Sequence, residues 1–286
     1  MSTTDGAGRD WILAVDAGGS GVRAVAVDRS GRRTGMNYRR FAPLAGVEEG
    51  AVEYDPEEVL SAVSAVAAEL ASTEGLASQP AAVALTVQRA TFCLWEHATG
   101  RPVTNLISWS DLRSTATAEK MNRSLIWQII RAGAAVLARL TGSAFLRTAS
   151  MLKFTTVHVS CRLKYLLDRN PDLRAGCREG RLRFGTLDTW LLYRLSAERV
   201  WATDRSNAAA TALYNPFDLK WNRLFFWLFN IPAGIFPPVL ETVDDFGLTD
   251  PELFSGIKAP ILTLVGDQMA ALFGHRCFSP GEVKVS

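Results

Sequence analysis

Near the N-terminus, two short apolar runs rich in β-branched residues, 11–17 and 22–28, flank Gly18-Gly19-Ser20-Gly21. Runs of this length around a glycine turn predict strand, turn, strand, and so a hairpin at the start of the fold. Ser30-Gly31 offers a second turn, with a weaker third strand over residues 34–41. Asp55-Pro56-Glu57-Glu58 then supplies an N-cap, a proline at the first helical position and acids in the first turn. Val59, Leu60, Val63, Ala67 and Leu70 follow at helical spacing, so one face of that helix packs inward. Strand, strand, strand, helix is a restrictive opening.

Further along, residues 82–87 read as a short buried strand ending at Gln88-Arg89. Residues 91–95 and 103–107 read as a strand pair around the turn Thr99-Gly100-Arg101-Pro102. From 114 to 168 the pattern is mostly helical, with an ambiguous β-branched stretch at 153–159. Residues 186–195 and 222–229 read as helices, 261–265 as the last strand, and 268–273 as a helix directly after it. The stretch 232–251, rich in proline and glycine, is linker-like, but more fold follows it, so no domain boundary is placed there. No internal repeat is evident.

Composition excludes several classes. The chain has 286 residues, 48% hydrophobic and 21% charged, with a net charge of +2. That is globular usage, and it creates no bulk field for nucleic acid or an anionic membrane. With a polar, acidic N-terminus no signal sequence is expected, and segment 1–10 is expected to be disordered. The longest apolar-rich stretch, 125–140, is interrupted by Gln128, Arg131 and Arg139, so no transmembrane segment is expected. Cys93, Cys161, Cys177 and Cys277 are scattered, without CxxC spacing or a nearby histidine cluster. Structural zinc and a disulfide framework are not expected, and the chain reads as cytoplasmic.

Three polar clusters each follow a buried strand: Asp16, Gln88-Arg89, and Gly266-Asp267-Gln268. If those strands run parallel, the clusters meet at one carboxyl edge, where open α/β sheets bind ligands. Asp16 through Arg23 offers backbone amides, a hydroxyl, a carboxylate and a cation, which suits a polyphosphate with magnesium. Taken alone, the same glycines favour a tight hairpin turn with Asp16 solvated. The segment is neither a GxxxxGK[ST] loop nor a GxGxxG opening a helix. Asp267, at a helix start, is placed to accept a proton from a substrate hydroxyl or simply to cap the helix. Arg89 suits either a polar substrate or a surface ion pair. His97, His158 and His275 are dispersed and give no catalytic histidine, and most of the eight tryptophans read as packing. Trp109, with Asp111 and Arg113 after it, is the exception because it again follows an apolar run.

These residues resemble the FGGY carbohydrate kinases, of the glycerol kinase type. DAGGSGVRAVAVDRSG (16–31) looks like the family's first phosphate segment, and QRATFCLWEHATGRPVTNLISWSDLRS (88–114) is similar to its substrate segment. RFGTLDTWLLYRLS (183–196), TDRSNAAATALYN (203–215) and GDQMAALFGHRCFSPGEVK (266–284) continue the match in order. The resemblance implies an actin-like, ribonuclease-H-like α/β domain, residues 11–286, with a mixed sheet and flanking helices. It implies ATP-dependent phosphorylation of glycerol to sn-glycerol 3-phosphate, with ATP and Mg2+ as partners of the reaction. Asp267 would be the base, Arg89 and Gln268 would bind glycerol hydroxyls, and Trp109 would wall its carbon face. Gly19, Ser20, Gly21 and Arg23 match the phosphate-contacting segment, with Asp16 on the magnesium side.

The chain departs from the family pattern at three site positions. The family's phosphate-segment threonine is Gly19, the glutamate after the substrate arginine is Ala90, and the substrate tyrosine falls at Val157. Members of the family have a second actin-like domain, which is expected to be absent here, so that the chain alone is expected to be inactive. A non-catalytic regulatory paralogue and a kinase for another polyol or sugar stay open beside the glycerol reading, as does homo-oligomerisation of a full-length protein.

Overall fold

The computed structural model describes residues 10–45, 47–73, 76 and 79–285. The expected disordered segment 1–10 lies, except for Asp10, outside the described residues. Strands β1 (Trp11–Ala17) and β2 (Gly21–Asp28) form the anticipated antiparallel hairpin, with Asp16 opposite Arg23. The Gly18 N–H donates to Gly21 O at 3.0 Å and closes the turn. Strand β3 (Arg33–Arg40) pairs antiparallel with β2. A side chain at Gly21 would overlap the Arg39 carbonyl oxygen, with Cβ only 2.4 Å away, so glycine is what lets the two strands close there.

After the short β4 (Glu53–Tyr54), helix α1 (Pro56–Ala71) begins as its sequence dictates, with Asp55 accepting the Glu57 N–H at 2.8 Å. Its five predicted inward residues are all buried, and α1 packs across β1–β3. Each fully buried aliphatic, such as Val63, contributes about 1.5–3 kcal/mol relative to exposure. Strand β5 (Ala82–Val87) then runs parallel to β1.

The chain next leaves the main sheet through β6 (Phe92–Glu96), β7 (Leu106–Ile107) and five helices: α2 (Thr115–Arg123), α3 (Leu125–Thr141), α4 (Ala144–Met151), α5 (Val159–Arg169) and α6 (Pro171–Arg178). Strand β8 (Leu182–Thr186) completes a second sheet in the order β4-β7-β6-β8 and leads into α7 (Leu187–Leu195). The expected pair of 91–95 with 103–107 forms in part: β6 pairs antiparallel with β7 at Phe92 and Ile107, and Trp95 bridges Pro102. The long partner of β6 is β8, and residues 103–105 do not form strand. Pro102 has no N–H to give, and the Thr104 hydroxyl takes the Leu94 N–H at 2.9 Å in place of a backbone carbonyl. The ambiguous stretch 153–159 is irregular until α5 starts at Val159.

The remainder comprises β9 (Thr203–Asp204), α8 (Arg205–Ala209), β10 (Tyr214–Asn215), β11 (Lys220–Trp221), α9 (Arg223–Phe229), β12 (Val239–Leu240), β13 (Ile261–Gly266) and α10 (Asp267–Gly274). The linker-like stretch is integrated: β12 pairs with β9, and Phe246 is fully buried. The main sheet has the order β13-β5-β1-β2-β3, with β13, β5 and β1 mutually parallel. One apolar core lies around this sheet with α1 and α7, and a second, rich in phenylalanine, lies around β6, β8, α5 and α9. No helix among the described residues is long and apolar enough to cross a membrane.

Candidate active site

Parallel pairing puts Ala17, Val87 and Gly266 in one register row across β1, β5 and β13. The residues that follow, Gly18-Gly19, Gln88-Arg89 and Asp267-Gln268, therefore emerge at a single edge. The three clusters meet as the strand-end pattern requires.

Arg89, Asp267, Gln268 and Trp109 all line one cavity of about 840 Å3, together with Ala90 and Val157. Arg89 Nε stands 3.8 Å from Asp267 Oδ1, each side chain about one-third exposed. Gly266 is needed for this approach, because a Cβ there would lie 2.4 Å from Arg89 Cδ. Gly266 is the N-cap of α10 and Asp267 its first residue, so the carboxylate lies at the positive end of the helix. Its Oδ1 accepts the Gln268 N–H at 2.6 Å, leaving Oδ2 as its second acceptor atom. Gln268 Oε1 accepts from Lys284 Nζ at 3.0 Å. The Trp109 side chain is about half exposed at the cavity, and the Trp109 backbone N–H donates to Thr91 Oγ1 at 3.3 Å.

The glycine turn lies beside this cavity and does not line it. Gly19, Ser20 and Arg23 are exposed, whereas Gly21 is buried against β3. The Tyr54 hydroxyl donates to Gly19 O at 2.7 Å, and Tyr38 to Ser20 O at 3.2 Å, which fixes the turn from both sides. A Cβ on Gly19 would sit 3.0 Å from Gln88 Oε1, so the buried Gln88 side chain takes the room a larger residue would need. Asp16 connects the two parts electrostatically. Burial raises its pKa above the usual aspartate value, Arg23 opposes the shift, and Asp267 adds to it. No group of three or more His, Cys, Asp or Glu side chains among the described residues is placed to hold a metal ion.

Sequence reasoning missed the residues that hold this site together. Arg162 is 1% exposed, and its guanidinium donates to five carbonyls. These are Thr156 O (2.8 Å), Ile107 O (3.2 Å), Ser108 O (2.6 Å), Ala90 O (2.7 Å) and Val157 O (2.7 Å). The segments carrying Arg89, Trp109 and Val157 thus share one clamp. Ala90 sits at φ 64°, a left-handed conformation unusual for a residue with a Cβ, and the clamp bond to its carbonyl helps to hold it there. Asp111 and Arg113 serve the same loop from outside the cavity: Asp111 accepts the Val52 N–H at 3.0 Å and pairs with Arg113, which also reaches Glu53. His158 lines the cavity, and burial lowers its pKa, with the Arg162 charge adding to the effect. The best signal for Arg162 was its place on the inward face of an amphipathic helix, where a charge has to be satisfied.

A profile of the FGGY family of carbohydrate kinases, N-terminal domain, matches residues 11–274. Glycerol kinase 5 of Gallus gallus is 39% identical over 277 residues, which cover 96% of this chain and 53% of that protein. Glycerol kinase 5 of Xenopus laevis is 40% identical over 276 residues, covering 96% of this chain and 57% of that protein. The crystal structure of Plasmodium falciparum glycerol kinase with ADP superposes with a TM-score of 0.82 at 23% identity, over 96% of this chain and 52% of that one, a likeness of fold. The chain spans about half the length of the curated relatives it matches. With the strand order, the parallel edge and the ordered motifs in agreement with that profile, the chain belongs to the FGGY family of carbohydrate kinases and matches its N-terminal domain.

Proposed function

We propose that the protein phosphorylates a polyol hydroxyl with ATP, glycerol to sn-glycerol 3-phosphate, and that this chain supplies the polyol half of the site. The observation that carries the reading is the approach of Arg89 to Asp267 in a cavity shared with Trp109 and Gln268, beside an exposed glycine turn. Arg89 and Gln268 orient the polyol hydroxyls, and Trp109 covers its carbon face. As the hydroxyl oxygen bonds to the γ-phosphorus and the bond to ADP breaks, Asp267 takes the hydroxyl proton. Such a transfer depends mainly on alignment and charge neutralisation, so a positioned carboxylate suffices as a late acceptor.

Gly19, Ser20 and Arg23 face the phosphates, while Gly21 seats the turn on β3. Asp16 would hold Mg2+ through its carboxylate. The residues fit such an ion, because burial and Asp267 both disfavour charge on Asp16 and a cation offsets both. When bound, the ion neutralises phosphate charge.

The test is glycerol-dependent ADP release by this chain joined to the C-terminal half of a glycerol kinase 5 relative. Release is expected, and Asp267→Asn should reduce it at least about a hundredfold with the fold intact. Release from no member of a polyol and sugar panel, or turnover of the Asn variant within a few-fold of the parent, overturns the reading.

A further inference from the structure

We propose that the cavity beside Asp267 takes a glycerol unit carrying one apolar chain, as in a short alkylglycerol, with the hydroxyls at Arg89 and Asp267 and the chain along α3 and α4. The proposal rests on the polyol reading above and names its substrate class. A cavity of about 840 Å3 is in the range that holds drug-sized ligands, and glycerol alone would leave most of it empty.

Away from Arg89 and Asp267, the lining is mostly apolar. Ile129 and Leu137 of α3, Leu146 of α4, and Val157, Phe217 and Leu224 face it. Ile129, at 62% exposure, and Phe217, at 50%, are large apolar side chains left open to solvent. Filling the cavity with hydrocarbon would remove that surface from water.

Several polar side chains in this lobe already hold local partners. Asn215 donates to Asp218 Oδ2 at 2.7 Å and accepts the Phe217 N–H at 3.0 Å. The Asn222 carbonyl accepts the Leu224 N–H at 3.1 Å, and Thr148 donates to Ala144 O at 3.0 Å. His158 Nδ1 accepts the Thr155 N–H at 3.1 Å. A longer sugar would bury further hydroxyls against groups already paired, which costs free energy, whereas a methylene chain loses nothing by that burial.

Gly133 gives a clean way to close the lobe. It lines the cavity on α3, and a Cβ there would meet no atom within 4 Å. Gly133→Trp should fill the lobe while keeping the helix and the polar end.

The experiment titrates the 286-residue chain with glycerol, 1-O-butylglycerol, 1-O-hexylglycerol, hexan-1-ol and xylulose. Calorimetry and tryptophan fluorescence report binding, and each sample is also sedimented. Affinity should rise about fourfold per methylene from glycerol to the hexyl ether. Hexan-1-ol and xylulose should each bind at least tenfold more weakly than the hexyl ether. Gly133→Trp should flatten the series and leave glycerol binding in place. A flat series in the parent chain, with glycerol bound, overturns the proposal and spares the polyol reading. Binding of none of the polyols defeats the polyol reading itself. Equal affinity for hexan-1-ol and the hexyl ether, or a dimer that excludes both, also overturns the proposal.

Discussion

The Ser206 hydroxyl accepts the Gly266 N–H at 2.7 Å, which ties the end of β13 to the first turn of α8. Asp204 holds that turn by accepting the Ser206 and Asn207 N–H groups, each at 3.0 Å, so the seat of Asp267 is built by the 203–215 segment. Ser206→Ala should cost about 1–3 kcal/mol in urea unfolding, because it orphans a partly buried amide. It should also weaken glycerol binding at least tenfold in calorimetry, with Ser206→Thr recovering most of both losses. Unchanged binding in the Ala variant would detach α8 from the site.

Gly266→Ala tests the approach of Arg89 itself. The added methyl meets the flexible Arg89 side chain, with Cδ at 2.4 Å and Cγ at 2.5 Å, so Arg89 has to swing away. Stability should change by less than about 1.5 kcal/mol, while polyol affinity falls at least tenfold. A variant that keeps its affinity would show that Arg89 does not need to stand beside Asp267.

Among the described residues no carboxylate is hydrogen-bonded to Arg162, which is satisfied by five carbonyl oxygens, so removing its charge leaves those acceptors buried. Arg162→Met should destabilise the chain by more than about 3 kcal/mol. Arg162→Lys keeps the charge but lacks the planar fork that spans all five carbonyls. The Lys variant should fold and show Trp109 more open to acrylamide quenching. Parent-like quenching in a folded Lys variant would remove the clamp from the account.

Asp188 carries a pH signature. It is fully buried, and its pKa is pushed up to about 7 by burial and then by Asp204, against hydrogen bonds from Thr186 and Thr203 and from the Thr189 N–H. Between about pH 4 and 7 the folded chain therefore holds a proton that the unfolded chain releases. The stability from this group is complete below the unfolded aspartate value and is lost as pH rises through about 7. Asp188→Asn should gain on the parent in urea midpoint from about pH 4 to about pH 7 and level off above that. Parallel curves for the two proteins would contradict the assignment.

The carboxyl-edge clustering of Asp16, Arg89 and Asp267 was legible because each follows a short buried run, and register does the rest. Helix α1 was legible because Asp55 and Pro56 mark its start and its buried face repeats at helical spacing. Strand β8 was hidden by Arg181 and Arg183. Arg183 lies on a strand because its guanidinium stacks on the Trp201 ring at 4.3 Å, a contact that local sequence does not announce. Arg162 was hidden for a related reason, since three of its five carbonyl partners, on Ala90, Ile107 and Ser108, lie far off in the chain. The apolar cavity was invisible because Ile129 and Leu137 carry the same periodicity a core helix would show.

The register row of Ala17, Val87 and Gly266 also sets an order of assembly. It joins β1 to β13 through β5, and β13 docks on β5 only after the intervening residues 88–260 have been made. Local pairings such as the β1–β2 hairpin close early, whereas a contact between such distant segments waits on the slowest loop closure. A nascent chain emerging from the ribosome can therefore lay down the glycine turn, α1 and the Arg162 clamp while β5 still lacks its outer neighbour. Asp267 arrives with β13. The group proposed to take the proton is thus seated after the scaffold that will hold its substrate, and a chain that stops short of β13 carries that scaffold without a base.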